Sequence, residues 1–253
     1  MKFNEEILRE FYNDIYKAPL AEEGLAFLTA LAARDKYRLP GEDYVMSNRT
    51  EMLAREYIEK DDFDIFKAKL HRLISNDYAY LEKNHKEIPE HLKVVYAGIN
   101  PVNVVDAYSL FLKKLVDRNQ ELIKNPNHKL SAYSIQSLWV SSMQTCPTGR
   151  LWYDFDLDAN TVKPADLADQ IARVMTDQFS GKTIKLITTH GGVHMLVRGS
   201  EMSKDYNPSV ILGVLRAHLG TICKEINPNN NGLVPCPGTL QGGTLVGYKS
   251  LTF

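Results

Sequence analysis

The stretch "GRLWYDFDLDAN", residues 149–160, constrains the fold more than any other part of the chain. Leu151, Tyr153, Phe155 and Leu157 alternate there with Trp152, Asp154, Asp156 and the trailing Asp158. A period of two belongs to a strand with one face in the core, because successive side chains point to opposite sides. The other face then carries neighbouring carboxylates, which repel each other unless a cation or a proton intervenes. Aspartate is also among the least favoured strand residues. Two readings follow: a divalent metal site, since hard oxygen ligands suit Mg²⁺ or Mn²⁺, or an edge strand whose acidic face prevents aggregation.

An identical triplet, Asp62-Phe63-Asp64, occurs earlier in "EKDDFDIFKAKL". There Phe63, Phe66, Leu70 and Leu73 recur at spacings of three and four, so the pair opens an amphipathic helix, where acidic residues suit the helix dipole.

The remaining pattern predicts helices over 4–17 and 21–35, then a helical block within 51–82. A β-type run follows in "LKVVYAGINP", with a domain junction just before it. Next come a helix over 102–124, a polar loop "NPNHK" and a β-type run in "AYSIQSLWVSSM". After the Asp-bearing strand, a helix is expected over 164–179, a strand pair over 183–189 and 193–198, and a helix over 208–224 leading into loops. Gly191-Gly192 between the paired strands suggests a hairpin with positive φ angles. The expected class is α+β, with residues 1–91 a helical region and residues 92–253 an α/β core with a mixed or antiparallel sheet.

A chain of 253 residues with 44% hydrophobic content can bury a substantial core. Thirty Lys and Arg against 31 Asp and Glu give no global charge for nucleic acid or membrane, so any such surface is local. Cys146, Cys223 and Cys236 form no Cys-x-x-Cys pair, which fits reduced thiols. The acidic N-terminal stretch "MKFNEEILREFYND" is unlike a signal peptide, and no run has membrane-spanning length, so a soluble cytoplasmic protein is expected.

Two further pieces carry chemistry. In "KLITTHGGVHMLVRG", His194 lies on the face opposite Val193, Met195 and Val197, as a ligand-facing group, a solvent-facing histidine or a core histidine with a satisfied hydrogen bond. In "VPCPGTLQGGTLVGY", a Pro-Gly turn precedes Gly242-Gly243. Its backbone amides, with Thr239 and Gln241, suit phosphate oxygens, or the segment is simply a turn before the last strand.

In this order the pieces resemble the catalytic core of the archaeo-eukaryotic primase superfamily, over about residues 92–253. "LWYDFD" matches the strand ending in Asp-hydrophobic-Asp, "GGVH" the small-x-His strand through Gly192, Val193 and His194, and "PGTLQGG" (237–243) a stretch near the end. The resemblance implies an RRM-like catalytic half, with Asp154, Asp156 and His194 catalytic. It implies that Asp154 and Asp156 hold Mg²⁺ or Mn²⁺, and that Gly192, His194, Thr239, Gln241 and Gly242 bind nucleotide. The family's third carboxylate falls in "CKEINPNNNGLVPCPG", which contains no aspartate. Asn227 stands as its counterpart, and Asp158 or Glu225 would complete a metal set.

The implied activity is template-directed nucleotidyl transfer by a DNA primase or primase-polymerase in replication or repair. Its partners would be nucleoside triphosphates, a single-stranded DNA template and a replicative helicase, with no membrane. Lys113, Lys114, Arg118 and Lys124 form a basic stripe that would track a strand or simply be solvated. Two alternatives stand beside this reading. One is a primase-like domain that binds nucleic acid or nucleotide without polymerising. The other is a metal-dependent phosphoesterase using Asp154, Asp156, His190 and His194.

Overall fold

The computed structural model describes residues 3–42, 50–74, 88–124, 132–146, 148–230 and 232–253. The chain folds as α+β, with antiparallel pairing throughout both main sheets. Helix α1 (Glu5–Ile15) starts where Asn4 Oδ1 accepts from Ile7 N at 3.2 Å, and it buries Leu8, Phe11, Tyr12 and Ile15 along one face. A short α2 (Lys17–Leu20) turns the chain into β1 (Leu25–Arg34).

That strand corrects the helix expected over 21–35. Leucines three apart imitate a helical face, but all ten β1 positions are at least partly buried, so the strand is apolar toward both sides. A central strand covered on both faces loses the alternation that would reveal it, and tertiary pairing outweighs the helical propensity of its alanines. β1 lies between β2 (Thr50–Ile58) and β3 (Lys93–Gly98). Residues 50–58 are therefore also strand rather than the start of a helical block. The helix of that block is α3 (Phe63–Ile74), which buries Phe66, Leu70 and Leu73; its expected continuation over 75–82 lies outside the described residues. Because β3 pairs along β1 from Thr29↔Ala97 to Ala33↔Lys93, backbone pairing crosses the junction expected near residue 92.

A short β4 (Val102–Asn103) also pairs with β1 and leads into α4 (Val104–Lys124). The β-type run in "AYSIQSLWVSSM" is instead helix α5 (Ala132–Thr145), which meets α4 through Phe111 and Trp139, with ring centroids 5.6 Å apart. Its hydroxyls fold back on the helix: Ser142 Oγ donates to Leu138 O at 2.8 Å and Thr145 Oγ1 to Ser141 O at 2.6 Å. The "NPNHK" loop lies outside the described residues.

The second sheet contains β5 (Trp152–Ala159), β6 (Thr183–Thr188) and β7 (Gly192–Arg198), with α6 (Pro164–Gln178) between β5 and β6. Helix α7 (Pro208–Leu219) is capped by Asn207 Oδ1 and ends at Gly220, short of the expected 224. Cys223–Asn229 is strand β8, hidden in the sequence by Pro228 and by polar residues that an edge strand tolerates. The chain then forms β9 (Leu233–Pro235) on the first sheet, the β10 (Leu240–Gln241) and β11 (Thr244–Leu245) hairpin, and β12 (Gly247–Thr252). The strand order is β2-β1-β3-β9 in the first sheet and β12-β6-β7-β5-β8 in the second.

One face of the second sheet packs Phe155, Leu157, Met195 and Val197 against α6 and α7. The other sends Trp152, Ile187 and Leu196 into a core shared with α1, β1 and β3. Lys185 anchors α1 there, its ammonium 2.6 Å from both Asp14 Oδ2 and Ser250 Oγ, while Tyr248 OH donates to Asp14 at 2.9 Å. Among the described residues no helix is long and apolar enough to cross a membrane.

The two sheets also meet through Asn100, in the loop after β3. Its side chain accepts from Trp152 N at 2.8 Å and donates to Trp152 O at 3.0 Å, completing the backbone where β5 begins. Asn100→Leu, which strands both groups, should cost about 2 kcal/mol in urea unfolding. Asn100→Asp, which keeps the acceptor alone, should fall between this variant and the wild type.

Candidate active site

Strand β5 has neighbours on both sides, and the registers decide what surrounds its aspartates. Asp154, Asp156 and Asp158 lie opposite Leu196, His194 and Gly192 of β7, and opposite Asn229, Asn227 and Glu225 of β8. Directly opposed residues of antiparallel strands share a face, so one patch of sheet carries four carboxylates, a histidine and two amides. Asp154, Asp156 and His194, singled out in the sequence, are thus brought together.

Their environments differ. The Asp154 side chain has no exposed surface. It accepts from His194 Nδ1 at 3.2 Å to Oδ1 and 3.0 Å to Oδ2, and from Asn229 Nδ2 at 2.7 Å to Oδ2. Asn229 Nδ2 also donates to Leu233 O at 3.1 Å, linking this group to β9 of the other sheet. The Asp156 side chain remains 43% exposed, with Oδ1 3.7 Å from His194 Nε2.

The fold holds Asp156 above its ordinary pKa, first through burial and then through repulsion by Asp158 and Asp154, against the pull of His194 and Lys36. Burial opposes the charged form of His194, yet the charge and hydrogen bond of Asp154, with Asp156 and Asp158 beyond, leave its pKa raised.

Asp156, Asp158 and His194 open on a cleft of about 960 Å³ lined from both sheets. Arg34 of β1, Lys36 just beyond it and Tyr96 of β3 contribute from the first sheet, and Arg150 from the turn before β5. Arg34 Nη1 donates to Tyr96 OH, which steers the guanidinium. Sequence reasoning missed Arg34 because it sat in a segment read as helix, and Lys36, Tyr96 and Arg150 because no local pattern ties them to the aspartates. It also passed over Asn229, inside a loop-like Asn/Pro run, although Cys223, Glu225, Asn227 and Asn229 have the period of a strand.

The other expected site residues divide. Gly192 has an ordinary φ, so positive φ is not the reason for glycine in this hairpin. A Cβ there would lie 2.1 Å from Leu157 O, and only the absence of a side chain lets β7 approach β5. Gln241 lines the cleft, with Oε1 accepting from His190 N at 3.1 Å. Thr239 is fully buried and donates to Cys236 O at 2.7 Å, which staples the Pro-Gly turn. Gly242, at φ 56°, seats the Tyr37 ring, whose Cδ1 would lie 2.6 Å from an added Cβ. Glu225 is exposed and accepts from Asn227 Nδ2 at 3.2 Å, outside the cleft lining. The α4 cations also lie outside that lining, with Lys114 on Ser141 Oγ and Arg118 on Glu121.

Among the described residues no group of three or more His, Cys, Asp or Glu side chains is placed to hold a metal ion. Mg²⁺ commonly takes only one or two carboxylates together with substrate phosphates. The hard oxygens of Asp156 and Asp158, facing the cleft, fit that requirement.

No protein-family model, no curated protein and no solved structure matches this chain.

The raised pKa values fix the sign of a pH dependence. A group that binds its proton more tightly when folded stabilises the fold at low pH, and that contribution is lost as pH rises through the folded value. For His194 it is complete below the ordinary 6.5 and disappears above it, and Asp156 acts in the same sense from 3.8 upward. Without added divalent cation, urea midpoints of the wild type should therefore fall as pH rises above 6.5, and His194→Gln should flatten that segment. An equally steep profile in the variant would remove His194 as its source.

Proposed function

We propose that the chain is a metal-dependent nucleotidyltransferase of the primase-polymerase type, joining nucleoside triphosphates on a single-stranded DNA template. The observation that carries this reading is the cleft itself: Asp156 and His194, opposed on neighbouring strands, share one space with Arg34, Lys36 and Arg150. Carboxylates alone would repel a polyphosphate, whereas three basic side chains around them supply donors and positive charge. The cleft is at the upper end of the usual range of about 300–1,000 Å³ for small-molecule sites, which suits a nucleotide.

Asp156 and Asp158 would hold the Mg²⁺ or Mn²⁺. A cation bound there lowers the pKa of an attacking hydroxyl and neutralises charge on a departing pyrophosphate. Arg34, fixed by Tyr96, orients phosphate oxygens from the first sheet. His194, held by Asp154 and with its pKa raised, donates from a protonated Nε2 to the phosphates from the second. Arg150 closes the flank near Asn230, its Nη2 donating to Asn230 Oδ1 at 3.2 Å.

A second reading has its own observation. β8 brings two amides, Asn227 and Asn229, to the patch where a third carboxylate would complete a metal set. This favours a primase-like domain that binds nucleotide or nucleic acid without polymerising.

The readings separate on single-stranded DNA with Mn²⁺ and nucleoside triphosphates. The polymerising enzyme should make primers, and Asp156→Ala should cut the rate by about 100-fold or more, since outer-shell changes at metal sites already cost 10–100-fold. Equal product from both proteins would exclude Asp156 from the chemistry. Mn²⁺-dependent nucleotide binding by calorimetry, with no product, would favour the second reading.

A further inference from the structure

We infer that Asp154 is a positioning residue for His194 and not a cation ligand, so that the strand pair Asp154 and Asp156 divides its labour. The cation-facing carboxylates are then Asp156 and Asp158. This inference rests on the proposed function for the cation alone, because the positioning role is independent of it.

The argument begins with surface. A ligand must offer an oxygen to the ion, yet the Asp154 side chain has none exposed, while that of Asp156 is 43% exposed. Asp156 and Asp158 line the main cleft and Asp154 does not. The second observation is the donor count. His194 Nδ1 sits within 3.2 Å of both Asp154 oxygens, and Asn229 Nδ2 lies 2.7 Å from Oδ2. A carboxylate without solvent requires such donors, and these supply a ring N–H and an amide N–H.

The third observation is direction. An imidazole whose Nδ1–H is spent on a buried carboxylate is fixed in ring orientation and tautomer, and its Nε2 is presented on the opposite side. Here Nε2 points toward Asp156, 3.7 Å from its Oδ1, at the cleft. Asn229 extends the support outward by donating also to Leu233 O of β9, so the ring is oriented from both sheets. Second-neighbour carboxylates on metal-site histidines act in the same way, by fixing a ring without touching the reacting atoms.

Two measurements on the full chain test this. Long-range ¹H–¹⁵N spectra of histidine-labelled protein, with the His194 signals identified by their loss in His194→Gln, report which ring nitrogen carries the proton. At a pH high enough for the ring to be neutral, Nδ1 should be protonated in the wild type, and in Asp154→Asn the pattern should change toward Nε2–H. Mn²⁺ titration followed by electron paramagnetic resonance is the second arm. Asp154→Asn and Asp156→Asn remove the same charge, so a difference between them reports ligation. Asp156→Asn should weaken Mn²⁺ binding more than Asp154→Asn, by about tenfold or more.

The inference is overturned if wild-type His194 has an unprotonated Nδ1, or if Asp154→Asn weakens Mn²⁺ as much as Asp156→Asn does. Should Asp154→Asn fail to fold, the wild-type spectrum still decides the positioning role. Absence of Mn²⁺ binding by the wild type would sink the proposed function while leaving the tautomer test in force.

Discussion

A carboxylate with no exposed surface, set in the interior of a sheet, has to be answered by donors, and around Asp154 much of the site follows from that requirement. His194 answers from β7 and Asn229 from β8, so both neighbours of β5 are committed to one side chain. Breaking such a buried group away from its partners costs several kcal/mol, about 3–5 when one charge is left unpaired. The registers of β5 against β7 and β8 are therefore held by charge as well as by backbone pairing. A slip of one residue would turn Asp154 into the apolar layer of Phe155 and Leu157 beneath α6 and α7.

The same group ties the sheets together. Asn229 reaches Leu233 of β9, and Asn100 reaches Trp152 at the start of β5, so two amides bridge from the second sheet to the first. Both line the cleft. These hydrogen bonds tie the strand that bears Asp156 to the sheet that bears Arg34, with Lys185 and Asp14 fixing α1 at a separate anchor. Arg34 and His194 face one space where these contacts and the shared apolar core join the sheets.

The Asp-bearing strand was legible because alternation survives where one face is apolar and the other polar. Its neighbour β7, buried at six of its seven positions, was legible instead as an apolar run returning from the Gly191-Gly192 turn, and α3 and α6 by their three-to-four spacing. β1 was not legible: burial on both sides erases alternation, and its leucines fall at helical intervals by chance. α5 failed in the opposite direction, since Ser142, in a run that suggests extended chain, and Thr145 just beyond it return their hydroxyls to helix carbonyls. Gly192 was recognised as meaningful for the wrong reason. The sequence context suggests a turn needing positive φ, whereas the constraint is the 2.1 Å approach of Leu157 O, a long-range contact that no local pattern contains. Of the candidate site, the residues on β5 and β7 could be read from sequence. The basic wall could not, because it belongs to the misread strand β1 and the turn beyond it.

The amides on β8 bear on what a third carboxylate would do. At position 229 it would lie against Asp154 where the amide now donates at 2.7 Å. Two carboxylates roughly 4 Å apart repel by about 4 kcal/mol at an effective dielectric near 20, so such a residue would need a cation or a proton at all times. Asparagine inverts the interaction and makes the patch self-sufficient without an ion. At position 227, opposite Asp156, the amide instead donates to Glu225 and adds no charge to a carboxylate already held above its ordinary pKa. The patch thus keeps its negative charge where it faces the cleft, at Asp156 and Asp158, and neutralises it where it faces protein, at Asp154.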